Sequence, residues 1–148
     1  NSDGNSVITL TLTGWDKTTS EGLVFNVSGA ESKNAYGEPV ENKTNVAVVD
    51  KAAPEVDKVV YKGETTIEVI LTEDIDKKTA VAEGKNGFSV SGGNAELTKA
   101  EVDGNVVTLT GKNFRNTTDV SYNDVFGLAD EDGNALKSFS KTDKLDEE

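Results

Sequence analysis

The sequence predicts an all-β fold, and three observations carry that prediction. Apolar residues recur with a period of two, the stretches between them are clusters of Gly, Asn and Asp, and one block of the chain repeats. A period of two places alternate side chains on one face of a strand, and the turn residues supply the backbone geometry that reverses the chain.

The elements follow in order. Val7-Ile8-Thr9-Leu10-Thr11-Leu12 sets Ile8, Leu10 and Leu12 on one face of a strand over 6–13. Further strands are predicted at 22–29, 45–49, 56–61 and 65–72, the last with Ile67, Val69 and Leu71 facing inward. Phe88-Ser89-Val90 marks 87–91, and strands at 95–102 and 105–111 flank Asp103-Gly104-Asn105. Val120-Ser121-Tyr122 marks 118–124, and a final strand is expected at 135–140. Half-buried antiparallel strands read this way. Asp76 to Glu83 has room for no more than a helical turn. Asp103-Gly104, Ser91-Gly92-Gly93-Asn94 and Asp132-Gly133-Asn134 are each expected to make a tight hairpin turn.

The repeat sets the domain organisation. Asp3-Gly4-Asn5-Ser6-Val7-Ile8-Thr9-Leu10-Thr11 matches Asp103-Gly104-Asn105-Val106-Val107-Thr108-Leu109-Thr110. Both continue to an aromatic (Trp15, Phe114), a Thr-Thr pair, a strand with an aromatic (Phe25, Tyr122), a turn ending in Gly37 or Gly133, and Asp50 or Asp146. The offset drifts from 100 to 96 residues. That is the length of an immunoglobulin-sized sandwich. Residues 51–148 hold seven strand signals, enough for one module, while residues 1–50 match its second half. The expected division is a C-terminal half-module over 1–50, a linker over 51–54 and a complete immunoglobulin-like β-sandwich over 55–148, the alternative being that residues 1–50 fold into the same enlarged sandwich. Half a sandwich leaves an apolar face bare, so an upstream segment or a second chain is expected to complete it.

Composition bounds the chemistry. The 148 residues carry 15 basic and 27 acidic side chains, for a net charge of −12, with no His, Cys or Met. Excess negative charge disfavours nucleic acid and anionic membrane as partners and favours divalent cations. Without imidazole and thiolate the usual acid–base, nucleophilic and transition-metal sites are missing, so a non-catalytic chain is expected. No apolar run reaches membrane-spanning length, and Asn1 to Asn5 carries no targeting signal, so the chain reads as a mature or excised piece.

Ala53-Pro54-Glu55-Val56, the run Ile67-Glu68-Val69-Ile70-Leu71-Thr72-Glu73-Asp74-Ile75-Asp76, and Gly127-Leu128-Ala129-Asp130-Glu131-Asp132-Gly133-Asn134-Ala135-Leu136 together resemble the immunoglobulin-like tandem modules of bacterial surface-layer (S-layer) proteins. The first copy departs at Glu38, where that family's pattern has Asn. The resemblance implies an extracellular, cell-wall-associated structural protein that self-assembles with copies of its parent into a surface lattice, assisted by calcium. Regions beyond this chain would bind cell-wall polymer. The alternative is a stalk or spacer module of an extracellular adhesin or secreted enzyme.

Four residues are candidate calcium ligands. Asp130, Asp132 and Asn134 crowd oxygens into one turn, and Asp50 stands at the linker, where Asp57 and Asp74 could join it. Calcium takes six to eight oxygens. The turn lacks the glycine position of an EF-hand, so it reads as a hairpin first and a site second. Glu73 and Asp74 are adjacent acids, but glycoside hydrolysis needs its two carboxyls across a cleft. Trp15, Phe114 and Tyr122 read as core ahead of a sugar platform. Asn26, Asn42 and Asn116 match the N-glycosylation acceptor pattern.

Overall fold

The computed structural model describes residues 24–29, 33–47, 50–117, 119–141 and 146–147. The strand expected at 6–13, with Ile8, Leu10, Leu12 and Trp15, lies outside the described residues. In chain order the strands are β1 (Val24–Val27), β2 (Lys43–Ala47), β3 (Val56–Gly63), β4 (Thr66–Leu71), β5 (Phe88–Ser91), β6 (Glu96–Asp103), β7 (Val106–Lys112), β8 (Asp119–Tyr122), β9 (Phe139–Lys141) and β10 (Asp146–Glu147). The described helical elements are short 3-10 turns at Lys77–Thr79, Phe114–Asn116 and Asp124–Phe126. The fold is all-β.

β1 and β2 form a two-stranded ribbon. The other described strands build a five-stranded sheet of order β10-β3-β4-β7-β6 and a three-stranded sheet of order β5-β8-β9. β4 shows why. Its side chains alternate as predicted, with Ile67, Val69 and Leu71 buried, and Ile67 stands opposite Leu109 and Val69 opposite Val107 on β7. Directly opposed β-branched and aliphatic pairs are the unit of sheet stabilisation. The same side of this sheet adds Leu97 and Ala100 from β6, and the other sheet adds Phe88, Val120 and Tyr122 to the same core cluster. Each buried Val, Leu, Ile or Phe of this cluster contributes about 1.5–3 kcal/mol by leaving water.

Between β6 and β7, Asp103 pairs with Val106, which leaves Gly104-Asn105 as a two-residue loop. Gly104 has φ +60°, and Asn105 is not in the positive-φ region. Glycine at the first loop position is the requirement of a type II′ turn. The other glycine cluster behaves differently. Ser91 to Asn94 joins β5 to β6, whose partners are β8 and β7, so it is a crossover between sheets and not a hairpin. A second difference is direction: β10 runs parallel to β3, Asp146 opposite Val60, where antiparallel pairing was expected throughout. The last long strand is also shorter than the predicted 135–140. Ala135 makes only an isolated bridge to Ala129, and β9 begins at Phe139.

Tyr122 ties the three-stranded sheet to the loop that follows it. Its ring packs at 5.1 Å from Phe88 and 6.1 Å from Phe139, and its hydroxyl accepts the Leu128 N–H at 2.9 Å. Burial raises the phenol above its usual value, opposed by the Leu128 and Gly127 backbone bonds. The folded state therefore holds the proton more tightly than the unfolded chain. That stability is complete below the ordinary tyrosine pKa near 10 and is lost as pH rises through the higher folded value. Tyr122→Phe should cost about 1–3 kcal/mol at neutral pH, because the buried Leu128 N–H loses its acceptor. It should also flatten the alkaline limb of stability against pH. Equal alkaline limbs in urea melts of the two proteins would dismiss the Tyr122 titration.

Candidate functional site

The chain enters the five-stranded sheet through a docked segment. Pro54 is fully buried, and Glu55 and Thr72 exchange two bonds: the Glu55 N–H to Thr72 Oγ1 at 3.0 Å and the Thr72 N–H to the Glu55 carbonyl at 2.9 Å. The loops of this end are stitched together behind it. Ile75 N–H reaches the Gly104 carbonyl at 3.1 Å, and Asp76 N–H reaches the Ala129 carbonyl at 2.9 Å. Residues 129–135 form a small hairpin here, with Ala129 bridged to Ala135 and Leu136 N–H bonded to the Leu128 carbonyl at 2.9 Å.

Within that hairpin Asp130 and Asn134 clasp each other. Asp130 Oδ1 accepts the Asn134 backbone N–H at 2.7 Å, and Oδ2 accepts Asn134 Nδ2 at 2.9 Å. Asn134 Nδ2 also reaches the Asp50 carbonyl at 3.3 Å, so the turn holds the linker as well as itself. Asp50 makes its own turn, its Oδ1 accepting the Ala52 N–H at 2.8 Å. Three acids meet at this junction: carboxylate oxygens of Asp50, Glu73 and Asp130 all lie within 4.8 Å of one another. Glu73 is 5% exposed and Asp130 4%.

Three of the four predicted ligands, Asp50, Asp130 and Asn134, are thus neighbours. Asp132 is exposed at the hairpin's tip and is not one of the grouped acids. Asp57 is exposed on β3, and Asp74 lies against Gly104, with Oδ1 3.2 Å from where a Cβ there would stand. Neither joins Asp50. Glu73 does, and the sequence held a signal for it. The inward series Ile67, Val69, Leu71 continues past the end of β4 through Glu73 to Ile75, all buried. Alternation sends Glu73 inward and Asp74 to the other side. Phe114 and Tyr122 are core residues at 0% and 3% exposure, with no face open to a sugar. The Asn26 and Asn42 amides carry structural bonds, accepting the Asn45 N–H at 2.8 Å and the Gly29 N–H at 2.6 Å.

The same hairpin is built a second time, 96 residues upstream. Lys33 bridges Pro39 as Ala129 bridges Ala135. Asn34 N–H bonds the Glu38 carbonyl at 2.9 Å, and Asp130 N–H bonds the Asn134 carbonyl at 3.1 Å. Gly37 and Gly133 have φ of +82° and +85°. Each turn then leads to a strand paired antiparallel with the strand before it, β2 on β1 and β9 on β8. The departure at Glu38 is now intelligible. In the first copy Asn34 Nδ2 donates to Glu38 Oε2 at 2.9 Å, whereas in the second Asn134 Nδ2 donates to Asp130 Oδ2. Amide and acid have exchanged places, and the clasp survives. What changes is the charge at its first position, negative in Asp130 and neutral in Asn34.

The charged surface is otherwise ordinary. Lys77 meets Asp103 at 2.7 Å and holds that carboxyl below its usual pKa, and Lys99 meets Glu101 at 3.0 Å and Glu83 at 3.3 Å. Exposed pairs of this kind contribute little. Comparison with protein-family models, curated proteins and solved structures returns no match to this chain.

Proposed function

We propose that this chain is a structural, non-catalytic piece of a bacterial surface-layer protein, displayed outside the cell. In this reading it is half of one immunoglobulin-like module followed by a complete one, and it associates with copies of its parent. The repeated hairpin carries the reading: the same clasp, the same glycine geometry and the same following strand pair recur 96 residues apart. A chain that repeats one architectural unit and docks the linker between copies is built to hold spacing. Calcium enters at the junction. Three carboxylates with oxygens within 4.8 Å of one another, two of them buried, present the hard oxygen donors that a divalent cation such as calcium takes. Asp50, Glu73 and Asp130 would hold it.

The ribbon of the first copy supports the half-module. Val24 and Phe25 on β1 are 46% and 37% exposed, whereas the corresponding strand β8 buries Val120 and Tyr122. Sedimentation velocity at fixed ionic strength tests the association. Millimolar calcium should produce assemblies that chelator dissolves. A monomer under both conditions would reduce the chain to a spacer, as in an adhesin stalk or an accessory region of a secreted enzyme.

A further inference from the structure

We propose that Asn86-Gly87 is a deamidation site that the native fold suppresses, and that its reaction makes unfolding of this chain irreversible. The inference is independent of the surface-layer reading.

Both residues are demanded by the fold. Asn86 has φ +47°, a conformation that asparagine tolerates better than most residues. It is 2% exposed, and its amide is fully engaged. Oδ1 accepts the Val81 N–H at 2.7 Å, while Nδ2 donates to the Val81 carbonyl at 3.0 Å and to the Ala100 carbonyl at 2.7 Å. One side chain thereby fastens the loop after Lys77–Thr79 to β6. Gly87 has φ +80°. A Cβ there would stand 2.8 Å from Phe126 Cβ, 2.9 Å from the Asn123 carbonyl oxygen and 2.9 Å from Tyr122 Cε2. No other residue fits.

Together these requirements write an Asn-Gly dipeptide, whose unscreened glycine nitrogen is the least hindered nucleophile toward an asparagine side chain. In the reaction the Gly87 nitrogen attacks Cγ of Asn86, losing its proton to solvent base. The N–Cγ bond forms, the Cγ–Nδ2 bond breaks, and ammonia departs. Water then opens the cyclic imide at either carbonyl, leaving aspartate or isoaspartate at position 86. In the native state Cγ is held by three hydrogen bonds in a site closed to water. In the unfolded chain nothing restrains it.

The product cannot resume the native place. A carboxylate has no donor for the Val81 and Ala100 carbonyls, so like faces like, and a charge would be buried. Isoaspartate also lengthens the backbone directly before β5. A chain held open long enough is removed from the folding population.

The test is a time course of the whole chain in mildly alkaline buffer, native and in urea, read by peptide mass spectrometry and by refolding yield on dilution. Asn94 and Asn134, each followed by Ala, serve as internal controls. Position 86 should react first in urea, refolding yield should fall in step with it, and native protein should react at least about 10³-fold more slowly, the lower range of folded-to-unfolded ratios. Asn86→Asp should be folded poorly or not at all. Comparable native and urea rates would overturn the proposal, as would deamidated chains that refold with unchanged melting.

Discussion

Phe114→Ala should destabilise the chain by about 3–5 kcal/mol, the largest effect expected of any single truncation here. Phe114 is wholly buried and is the bulkiest side chain in that state among the described residues. It opens a 3-10 turn whose preceding residue, Asn113, takes φ +58°, and its N–H bonds the Glu64 carbonyl at 3.0 Å. The ring fills the space that β7 leaves at Gly111. A Cβ on Gly111 would come within 2.5 Å of Phe114 Cζ and within 2.1 Å of the Glu96 carbonyl oxygen. Ring and glycine are two halves of one fit, so removing the ring leaves a cavity that rigid strand backbone cannot close. Gly111→Ala should also destabilise, and Phe114→Ala should not rescue it, since the Glu96 carbonyl still obstructs. Urea melts check this: the midpoint of Phe114→Ala should fall with the slope unchanged. A loss under about 1 kcal/mol would mean that the site collapses around the deletion.

The sequence made the strands that alternate legible, and for a physical reason. β4 and β7 bury one face against the other sheet, so their inward residues had to recur at every second position. β10 is two acidic residues, Asp146-Glu147, too short a run to show any alternation in the sequence. The Ser91 to Asn94 crossover was equally hidden, because turn residues specify a reversal and not the sheet in which the next strand will lie. At the junction, Asp50, Asp130 and Asn134 were legible from the density of oxygens in a turn and from a break between repeats. Glu73 was read as one of two adjacent acids when its parity with Leu71 placed it among the buried residues. The clasp itself was seen only as a mismatch at Glu38, since amide and acid can exchange ends without changing the shape they hold.

That exchange separates turn from charge in the calcium proposal. Asp130→Asn with Asn134→Glu would give the second hairpin the pairing of the first, Asn34 with Glu38, which holds the same turn. In chelator this double variant keeps the clasp and loses only the Asn134 bond to the Asp50 carbonyl, so it should melt below the parent by about 0.5–1.5 kcal/mol of stability. In calcium the two should part further. Calcium at about 100 times its dissociation constant adds about 2.7 kcal/mol to a native state that binds it. The parent should show a rise of that order, and the double variant should lose most of it, because the carboxylate nearest Asp50 and Glu73 has become an amide. Asp50→Asn alone should weaken the response without touching the clasp. An unaltered calcium response in the double variant would move the cation elsewhere on the chain. No response in the parent would remove calcium and leave Asp130 a single role, accepting both Asn134 bonds so that the amide can hold the linker carbonyl of Asp50. In either case the clasp holds the Asn134 amide where it reaches the Asp50 carbonyl.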